Sequence, residues 1–184
     1  METIKPNEDT PIEISTATLN DVRAISEVQK ASWLATYPNE EYGITKEDIL
    51  SEDFFSNERI EKRTEIIGNP KSNTRFFVAK IDGRVVGYCC ARRDGGLNII
   101  RSIYILPEFQ GVGIGQKFMS AAFDFLDKSL PTRLTVAIYN DKAIKFYEKS
   151  GFKKGELLEN NPEGHFVSGR EIPEMEMVRE PDNK

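Results

Sequence analysis

The sequence predicts an α+β fold in which about four helices flank a single mixed, mostly antiparallel sheet of about seven strands. Segments of period-two hydrophobicity are interleaved with helical segments in the order β, α, α, β, β, β, α, β, α, β, β, which differs from a regular doubly wound fold. Three of the strands follow one another through short glycine-containing turns, as in an antiparallel meander. No repeat or linker divides the 184 residues, so we expect one domain at 12–180 with tails at 1–11 and 181–184.

The first strand and the first helix are predicted from the beginning of this domain. Apolar and polar residues alternate from residue 12 to residue 18, which is typical of a strand. Asn20 or Asp21 then provides a cap for a helix that reaches about Thr36.

The remaining elements are predicted from the same two periods and from turn residues. Asp82-Gly83 lies between two alternating segments and is a hairpin signal, and Pro107 ends the third strand of the meander. A helical segment capped by Thr45 runs with interruptions from residue 46 to about residue 67. The three strands of the meander follow at 75–80, 85–92 and 97–106, and the next helix has Ile114, Phe118, Ala122 and Phe125 on one face. The last predicted elements are a strand at 133–138, a short helix at 141–150, and strands at 152–158 and 171–178.

Composition and charge exclude several classes of protein. The net charge of −5, from 30 acidic and 25 basic residues, gives no broad cationic face for nucleic acid or an anionic membrane. Cys89 and Cys90 are adjacent in an apolar run, so we expect reduced packing residues and neither a disulfide nor a metal site. Residues 1–9 are polar and no apolar run is long enough to span a membrane, so we expect a cytoplasmic protein.

A glycine-rich turn at residues 107–115 separates the third strand of the meander from a helix. Free backbone N–H groups and the helix dipole attract an anion at such a junction, and glycine lets a phosphate approach closely. The turn is not a P-loop, because Gly115 is followed by Gln116 and Lys117, and its glycines at every second position differ from a dinucleotide-binding fingerprint. A tight corner without a ligand remains the alternative interpretation.

The run Ile103-Tyr104-Ile105-x-Pro-x-x-Gln110-x-x-Gly113-x-Gly115 ends a strand and begins a helix. It closely resembles the acyl-coenzyme A signature of the GNAT N-acetyltransferase superfamily, and the order of elements is similar to the acyl-CoA N-acyltransferase fold. The resemblance implies that acetyl-CoA is the acetyl donor, with its pyrophosphate on the turn and its pantetheine arm along the strand end as an added strand. The cofactor-binding residues implied here are Ile103, Tyr104, Ile105, Gly111, Val112, Gly113, Ile114, Gly115 and Gln116.

A second block, at residues 140–152, begins a capped helix with Asn140, Ala143 and Tyr147 on one face. It resembles the second conserved block of the same superfamily. That resemblance implies that Asn140, Ala143 and Phe146 contact the coenzyme and that the Tyr147 hydroxyl protonates the leaving thiolate. A tyrosine, with an unperturbed pKa of ~10, is protonated at neutral pH yet acidic enough to donate. Taken alone, Phe146-Tyr147 would instead indicate a pair of aromatic core residues.

The sequence assigns no general base. Many members of the superfamily carry a Glu in the central strands, but neither 97–106 nor 133–138 contains an acidic residue. Glu108 in the loop and His165, the sole histidine, are the remaining candidates, although a lone histidine in a polar loop is more often simply solvated. The resemblance places the N–H donor for the oxyanion near Ile105, where the coenzyme-binding strand is distorted.

The sequence also does not identify the amine that accepts the acetyl group. The superfamily builds its acceptor pocket from the first two helices and the loop between the last strands, so the candidates are Trp33, Tyr37, Tyr42 and residues 159–170. Trp33 and Tyr37 are four residues apart and equally indicate a helix packing face. Arg101 would favour an amino acid or a peptide end by holding its carboxylate, whereas Glu159 and Glu163 would favour a polyamine.

These features predict an enzyme that transfers an acetyl group from acetyl-CoA directly to a primary amine of a small molecule or a peptide. The alternative is a domain that binds acyl-CoA as a sensor or scaffold without turnover. We expect no metal, no nucleic acid and no membrane partner, and the last strands provide an edge on which a homodimer could form.

Overall fold

A seven-stranded sheet with the strand order β1-β2-β3-β4-β5-β7-β6 forms the centre of the protein. The structure is a computed structural model that describes residues 11–158 and 166–181. The strands are β1 (Glu13–Thr16), β2 (Thr74–Ile81), β3 (Arg84–Arg93), β4 (Asn98–Ile105), β5 (Thr132–Ala137), β6 (Lys153–Leu158) and β7 (Glu174–Arg179). The α-helices are α1 (Val22–Thr36), α2 (Lys46–Leu50), α3 (Asn57–Gly68), α4 (Ile114–Phe125) and α5 (Asp141–Lys149). The predicted α+β class is therefore confirmed.

Five α-helices lie in the described ranges, one more than the predicted number, because the second helical segment is divided. Thr45 caps α2 by accepting a hydrogen bond from the Asp48 N–H at 3.2 Å. A second cap, Ser56, accepts from the Arg59 N–H at 3.3 Å and begins α3. Each cap satisfies N–H groups at a separate helix start, so the chain forms two helices where the sequence predicted one interrupted segment.

The outer predicted strands are shorter than expected, whereas the meander is confirmed. Asp82 and Gly83 have φ angles of 49° and 75°, and positive values at both positions are those of the tight turn that suits a two-residue hairpin. β7 begins at Glu174 and not at residue 171. Pro173, which has no N–H for a ladder hydrogen bond, immediately precedes it.

β4 and β5 are paired at one end only and are not hydrogen-bonded over the rest of their length. The two strands are parallel, and their register joins only Asn98 to Thr132 and Ile99 to Arg133. At this joined end, the buried Asn98 side chain donates to the Asp127 carbonyl at 2.7 Å and accepts from its N–H at 3.1 Å. The chain is thereby held together at one end, and a gap widens between the strands toward Ile105.

Helices cover both faces of the sheet. Phe76 and Phe77 are neighbours on β2, so their side chains point to opposite faces. Phe76 lies under the Arg63 guanidinium of α3, and Phe77 packs against Phe125 of α4 with ring centroids 6.3 Å apart. α3 therefore covers one face and α4 the other, and α1, which contacts α3, β3 and β4, lies on the same face as α3.

Both cysteines are free and buried, which confirms their interpretation as packing residues. None of the helices in the described ranges combines the length and the hydrophobicity that a membrane span requires. The same residues contain no cluster of three or more His, Cys, Asp or Glu side chains placed to hold a metal ion.

Candidate active site

A cavity of about 1310 Å³ lies where β4 and β5 diverge and extends beneath α1 and α3. The glycine turn and α5 form its wall on one side, and α1, α3 and the sheet face form its wall on the other. The cavity thus joins the two predicted half-sites, one for the coenzyme and one for the acceptor. The predicted site residues that line it are Trp33, Tyr37, Arg101, Ile103, Tyr104, Ile105, Gly111, Val112, Gly113, Gly115, Gln116, Asn140, Ala143, Phe146 and Tyr147.

The glycine turn presents backbone N–H groups to this cavity. Gly113 caps α4 in a left-handed conformation with φ of 87°, and no side chain caps the helix. The Lys117 N–H makes the 3.2 Å bond to the Gly113 carbonyl that closes the first helical turn. The N–H groups before Lys117, from Ile114 to Gln116, therefore have no acceptor within the helix and form an anion-binding end.

Space above the turn is open to a ligand. A Cβ atom added at Gly111 or Gly113 would meet no atom of the described residues within 4 Å, and Gly111 also has a positive φ, of 88°. Gly115 differs, because a Cβ there would lie 3.1 Å from the ring of Phe146. The first two glycines therefore leave room over the backbone, and Gly115 allows α4 and α5 to pack closely.

Gln110 and Lys142 connect the turn to its surroundings. The Gln110 amide donates to the Ile105 carbonyl at 3.1 Å, and its oxygen accepts from Lys142 Nζ at 2.6 Å. This contact places an ammonium group of α5 beside the anion-binding end of α4. Lys142 was not among the predicted site residues, because its position beside the turn depends on how α4 and α5 pack.

Asn140, Ala143 and Tyr147, the predicted face of α5, all line the cavity. Asn140 Oδ1 accepts from the Ala143 N–H at 3.2 Å and so caps the helix. Tyr147, one turn further along the same face, is 9% exposed and packs against the rings of Phe146 and Phe152 at centroid distances of 5.3 and 6.0 Å. Tyr147 therefore packs in the core and also lines the cavity, and its role as a proton donor stays a prediction.

Burial is the main cause of a raised pKa at Tyr147. It raises the pKa of the hydroxyl well above its ordinary value, and the nearby Cys89 adds to the rise. The neutral, protonated form is disfavoured only at high pH, so Tyr147 holds its proton throughout the neutral range.

Trp33 and Tyr37, which are predicted acceptor-site residues, line the cavity and also pack on each other, with ring centroids 5.2 Å apart. The Tyr37 hydroxyl lies 2.9 Å from that of Tyr104, and the Tyr139 hydroxyl donates to the Tyr37 carbonyl at 3.0 Å. The buried Trp33 Nε1–H meets no acceptor at hydrogen-bonding geometry, although Tyr104 is close to it. These groups form a polar network at the level of the β4 end.

Several predicted residues lie elsewhere. Tyr42 is exposed, does not line the cavity, and stacks on Tyr139 at 5.4 Å. The Ile114 side chain is 1% exposed and belongs to the core, so only its backbone faces the anion-binding end. Glu108 is at the surface, 3.7 Å from Arg84. His165 and the acidic residues of 159–165 lie outside the described residues.

Two carboxylates line the cavity in the described part of the chain, and the sequence indicated neither. Glu52 is bound by Arg59 at 2.8 Å and accepts from the Val167 N–H at 2.8 Å. Glu174 is the first residue of β7, opposite Ala137 in the register, and its negative charge adds to the burial that raises the pKa of Tyr37. Glu174 reaches the cavity because β7 lies between β5 and β6 and pairs with β5. This pairing is not evident from the sequence.

The distortion of β4 lies at Arg101 and not beside Ile105. In the register with β3, Cys90 pairs with Ser102 and Ala91 with Ile100, which leaves Arg101 as the extra residue of a bulge. The expected position of the strand distortion is thus corrected by four residues. Arg101 lines the cavity together with the other β4 residues from Ile100 to Ile105.

The chain belongs to the acetyltransferase (GNAT) family, because the model of that family matches residues 31–152. An N-alpha-acetyltransferase of Sulfurisphaera tokodaii is 31% identical over 98 residues. That match covers 45% of this chain and 59% of the relative, so the chain spans little more than half of the length of this relative. A spermidine N(1)-acetyltransferase of Thermoplasma acidophilum is 27% identical over 146 residues, which cover 77% of this chain and 88% of the relative.

The fold is also similar to a solved structure. The crystal structure of the PaiA N-acetyltransferase from Thermoplasma acidophilum in complex with coenzyme A superposes with a TM-score of 0.71 at 24% identity. The superposition covers 92% of this chain and 99% of that protein.

Proposed function

We propose that this chain is an N-acetyltransferase that transfers an acetyl group from acetyl-CoA directly to a primary amine. The observation that carries the proposal is that one cavity contains the free N–H groups of α4, the gap between β4 and β5, and Tyr147. Relatives named as N-acetyltransferases and a similar fold bound to coenzyme A support it.

The residues present fit the coenzyme. The N–H groups from Ile114 to Gln116 and the ammonium of Lys142 provide the positive potential that a pyrophosphate requires. Within the described residues, the β4 edge beyond Ile99 has no strand partner on the β5 side and is available to the amide groups of a pantetheine arm. Gln110 ties the turn to the Ile105 carbonyl and so fixes the two binding segments relative to each other.

The reaction needs two proton transfers. The amine nitrogen forms a bond to the thioester carbonyl carbon while the carbon–sulfur bond breaks, the amine loses one proton to a base, and the thiolate takes one from an acid. Tyr147 is the acid in this proposal, because it lines the cavity and burial keeps it protonated. Cys89 is buried and its raised thiol pKa disfavours a nucleophilic thiolate, which is consistent with direct transfer.

Glu174 is the proposed base. Glu174 lines the cavity, and its negative charge acts on Tyr37 and Tyr139 at the β4 end, whereas Glu52 lies beneath α3 in an ion pair with Arg59. Replacing Glu174 by Gln is expected to lower kcat/KM about 10²-fold, since general base catalysis contributes at least this much. Steady-state kinetics would measure the loss.

Glu176→Gln is the matched control for this variant. Glu176 lies on the same strand, two residues away, and its 3.3 Å ion pair with Arg133 is outside the cavity. Equal effects of the two substitutions on kcat/KM would contradict the assignment of Glu174.

The raised pKa of Tyr147 predicts how kcat/KM depends on pH. A group with a raised pKa keeps its proton below that pKa and loses it only as the pH rises through it. With an alkylamine acceptor whose pKa is ~10.4, kcat/KM is therefore expected to rise between pH 7 and 10 as the free amine forms, without a decline from Tyr147. A decline within that interval that disappears in Tyr147→Phe would contradict this account.

Thiol release tests the function itself. The protein is incubated with acetyl-CoA and a panel of diamines, amino acids and short peptides, and free thiol is measured with and without each amine. The proposal predicts amine-dependent release for at least one acceptor. Binding of acetyl-CoA without thiol release from any amine would contradict catalysis and indicate a sensor or scaffold.

A further inference from the structure

The part of the cavity beneath α3 carries an excess of positive charge, although the chain as a whole has a net charge of −5. Arg59, Lys62 and Arg63 fall at i, i+3 and i+4 on α3 and all line the cavity. Arg92 of β3 lines the same region. Among the described residues, Glu52 is the single carboxylate that lines this part, so a cationic acceptor would be repelled from it.

Arg63 is hydrogen-bonded to neutral groups, whereas Arg59 and Arg92 form ion pairs with carboxylates. Arg59 is paired with Glu52 at 2.8 Å and Arg92 with Asp94 at 2.7 Å. Arg63 is only 9% exposed, and it donates to two neutral groups, Ser26 Oγ and Gln29 Oε1, the second at 3.1 Å.

Two further observations indicate that Arg63 is suited to bind an anion. Among the described residues, the buried Arg63 Nε–H has no acceptor, and no carboxylate lies within ion-pair distance of the guanidinium. Burial without a countercharge lowers the pKa of Arg63, and a charge held in this way is costly unless an anion reaches it. The side chain lines the cavity, so a ligand can supply that anion.

The register of the strands gives the distance from this group to the polar network at the β4 end. Arg63 lies over Phe76, and Phe76 pairs with Cys90. Cys90 is two residues along β3 from Tyr88, the partner of Tyr104. At about 3.3 Å per residue, Arg63 is roughly 7 Å along the strand direction from the Tyr104 level, which is about two residues of extended peptide.

We propose that the acceptor carries a carboxylate about 7 Å from its reactive amine, and that Arg63 binds this carboxylate with the support of Lys62 and Arg92. The acceptor class is thus an ω-amino acid or a peptide of about two residues, and a polyamine is disfavoured. This proposal rests on the proposed acetyltransferase function. It departs from the spermidine specificity that the name of one relative states for that relative.

Matched acceptors test the proposal. The values of kcat/KM are measured for 5-aminopentanoate, its neutral amide and 1,5-diaminopentane, which share the amine and the chain length and differ in the second charge. The wild-type protein is expected to prefer the carboxylate about tenfold or more over each of the others, since a hydrogen bond to a charged group has at least this effect. A preference for the diamine, or equal values for all three, would overturn the proposal.

Substitutions of Arg63 then locate the carboxylate. Arg63→Gln is expected to reduce the preference to about twofold or less, and Arg63→Lys to restore part of it, because Lys retains the charge but not the fork geometry. Arg75→Gln is the matched control, since Arg75 also lies over an aromatic ring, Phe125 at 5.1 Å, but outside the cavity. An unchanged preference in Arg63→Gln would contradict the role of Arg63.

A binding measurement separates this proposal from the function on which it rests. Calorimetric titration of the protein with 5-aminopentanoate does not require turnover, and the wild type is expected to bind it while Arg63→Gln is not. Absence of thiol release with every amine would contradict the acetyltransferase function. Thiol release with amines of every charge, together with no calorimetric binding of 5-aminopentanoate, would overturn the carboxylate site alone.

Discussion

Replacing Tyr147 by Phe is expected to lower kcat by two to four orders of magnitude while acetyl-CoA still binds. General acid catalysis contributes about this much, and Phe preserves the ring that packs against Phe146 and Phe152. Because burial keeps the hydroxyl protonated, the substitution removes a proton donor and no charge. The measurement is kcat from thiol release at saturating acetyl-CoA, with the melting temperature followed in parallel.

Tyr42→Phe is the control, since it removes a hydroxyl from an exposed ring that does not line the cavity. We expect its kcat to equal that of the wild type. If Tyr147→Phe retained full activity, leaving-group protonation by Tyr147 would be wrong, and water would be the donor.

Gly113→Ala is expected to weaken acetyl-CoA binding about tenfold or more. The φ of 87° forces an alanine into the left-handed region, at a cost of roughly 1–2 kcal/mol, and its Cβ would occupy the open space over the anion-binding turn. A phosphate could then no longer approach the N–H groups closely. Calorimetric titration with acetyl-CoA measures the change in Kd.

Gly95→Ala separates the loss of affinity from the backbone strain. Gly95 has a φ of 65°, a Cβ there also meets nothing within 4 Å, and the residue is in the turn between β3 and β4, outside the cavity. Both alanine variants are expected to lower the melting temperature by about 2–4 °C per kcal/mol of strain. An equal Kd for the two would contradict the role of the glycine turn.

Local signals explain how much of the fold could be predicted from the sequence. Asp82-Gly83 specifies its hairpin through two positive φ angles, and Thr45 starts a helix through its own side chain. Ser56 starts another helix in the same way, but it was not among the predicted caps. The order of the last strands has no such signal, because the insertion of β7 between β5 and β6 depends on pairing across the sheet. The alternating pattern predicts that strands exist but leaves their neighbours open.

The same distinction holds in the candidate site. Residues of one turn or one helix face, such as Gly113 and Tyr147, are predicted site residues because local motifs that resemble the superfamily signature contain them. Glu174 and Arg63 were not, because each reaches the cavity through tertiary contacts between segments distant in sequence. Arg63 in particular looks like an ordinary solvated residue of a polar helix until the packing of α3 on Phe76 buries it.

Calorimetric titration of the wild-type protein with acetyl-CoA tests the central claim most directly. The account predicts saturable binding of one acetyl-CoA per chain, with a matching rise in melting temperature because the ligand binds the folded state. Absence of any binding would contradict the account, and the glycine turn at residues 111–115 would then be a tight corner without a ligand.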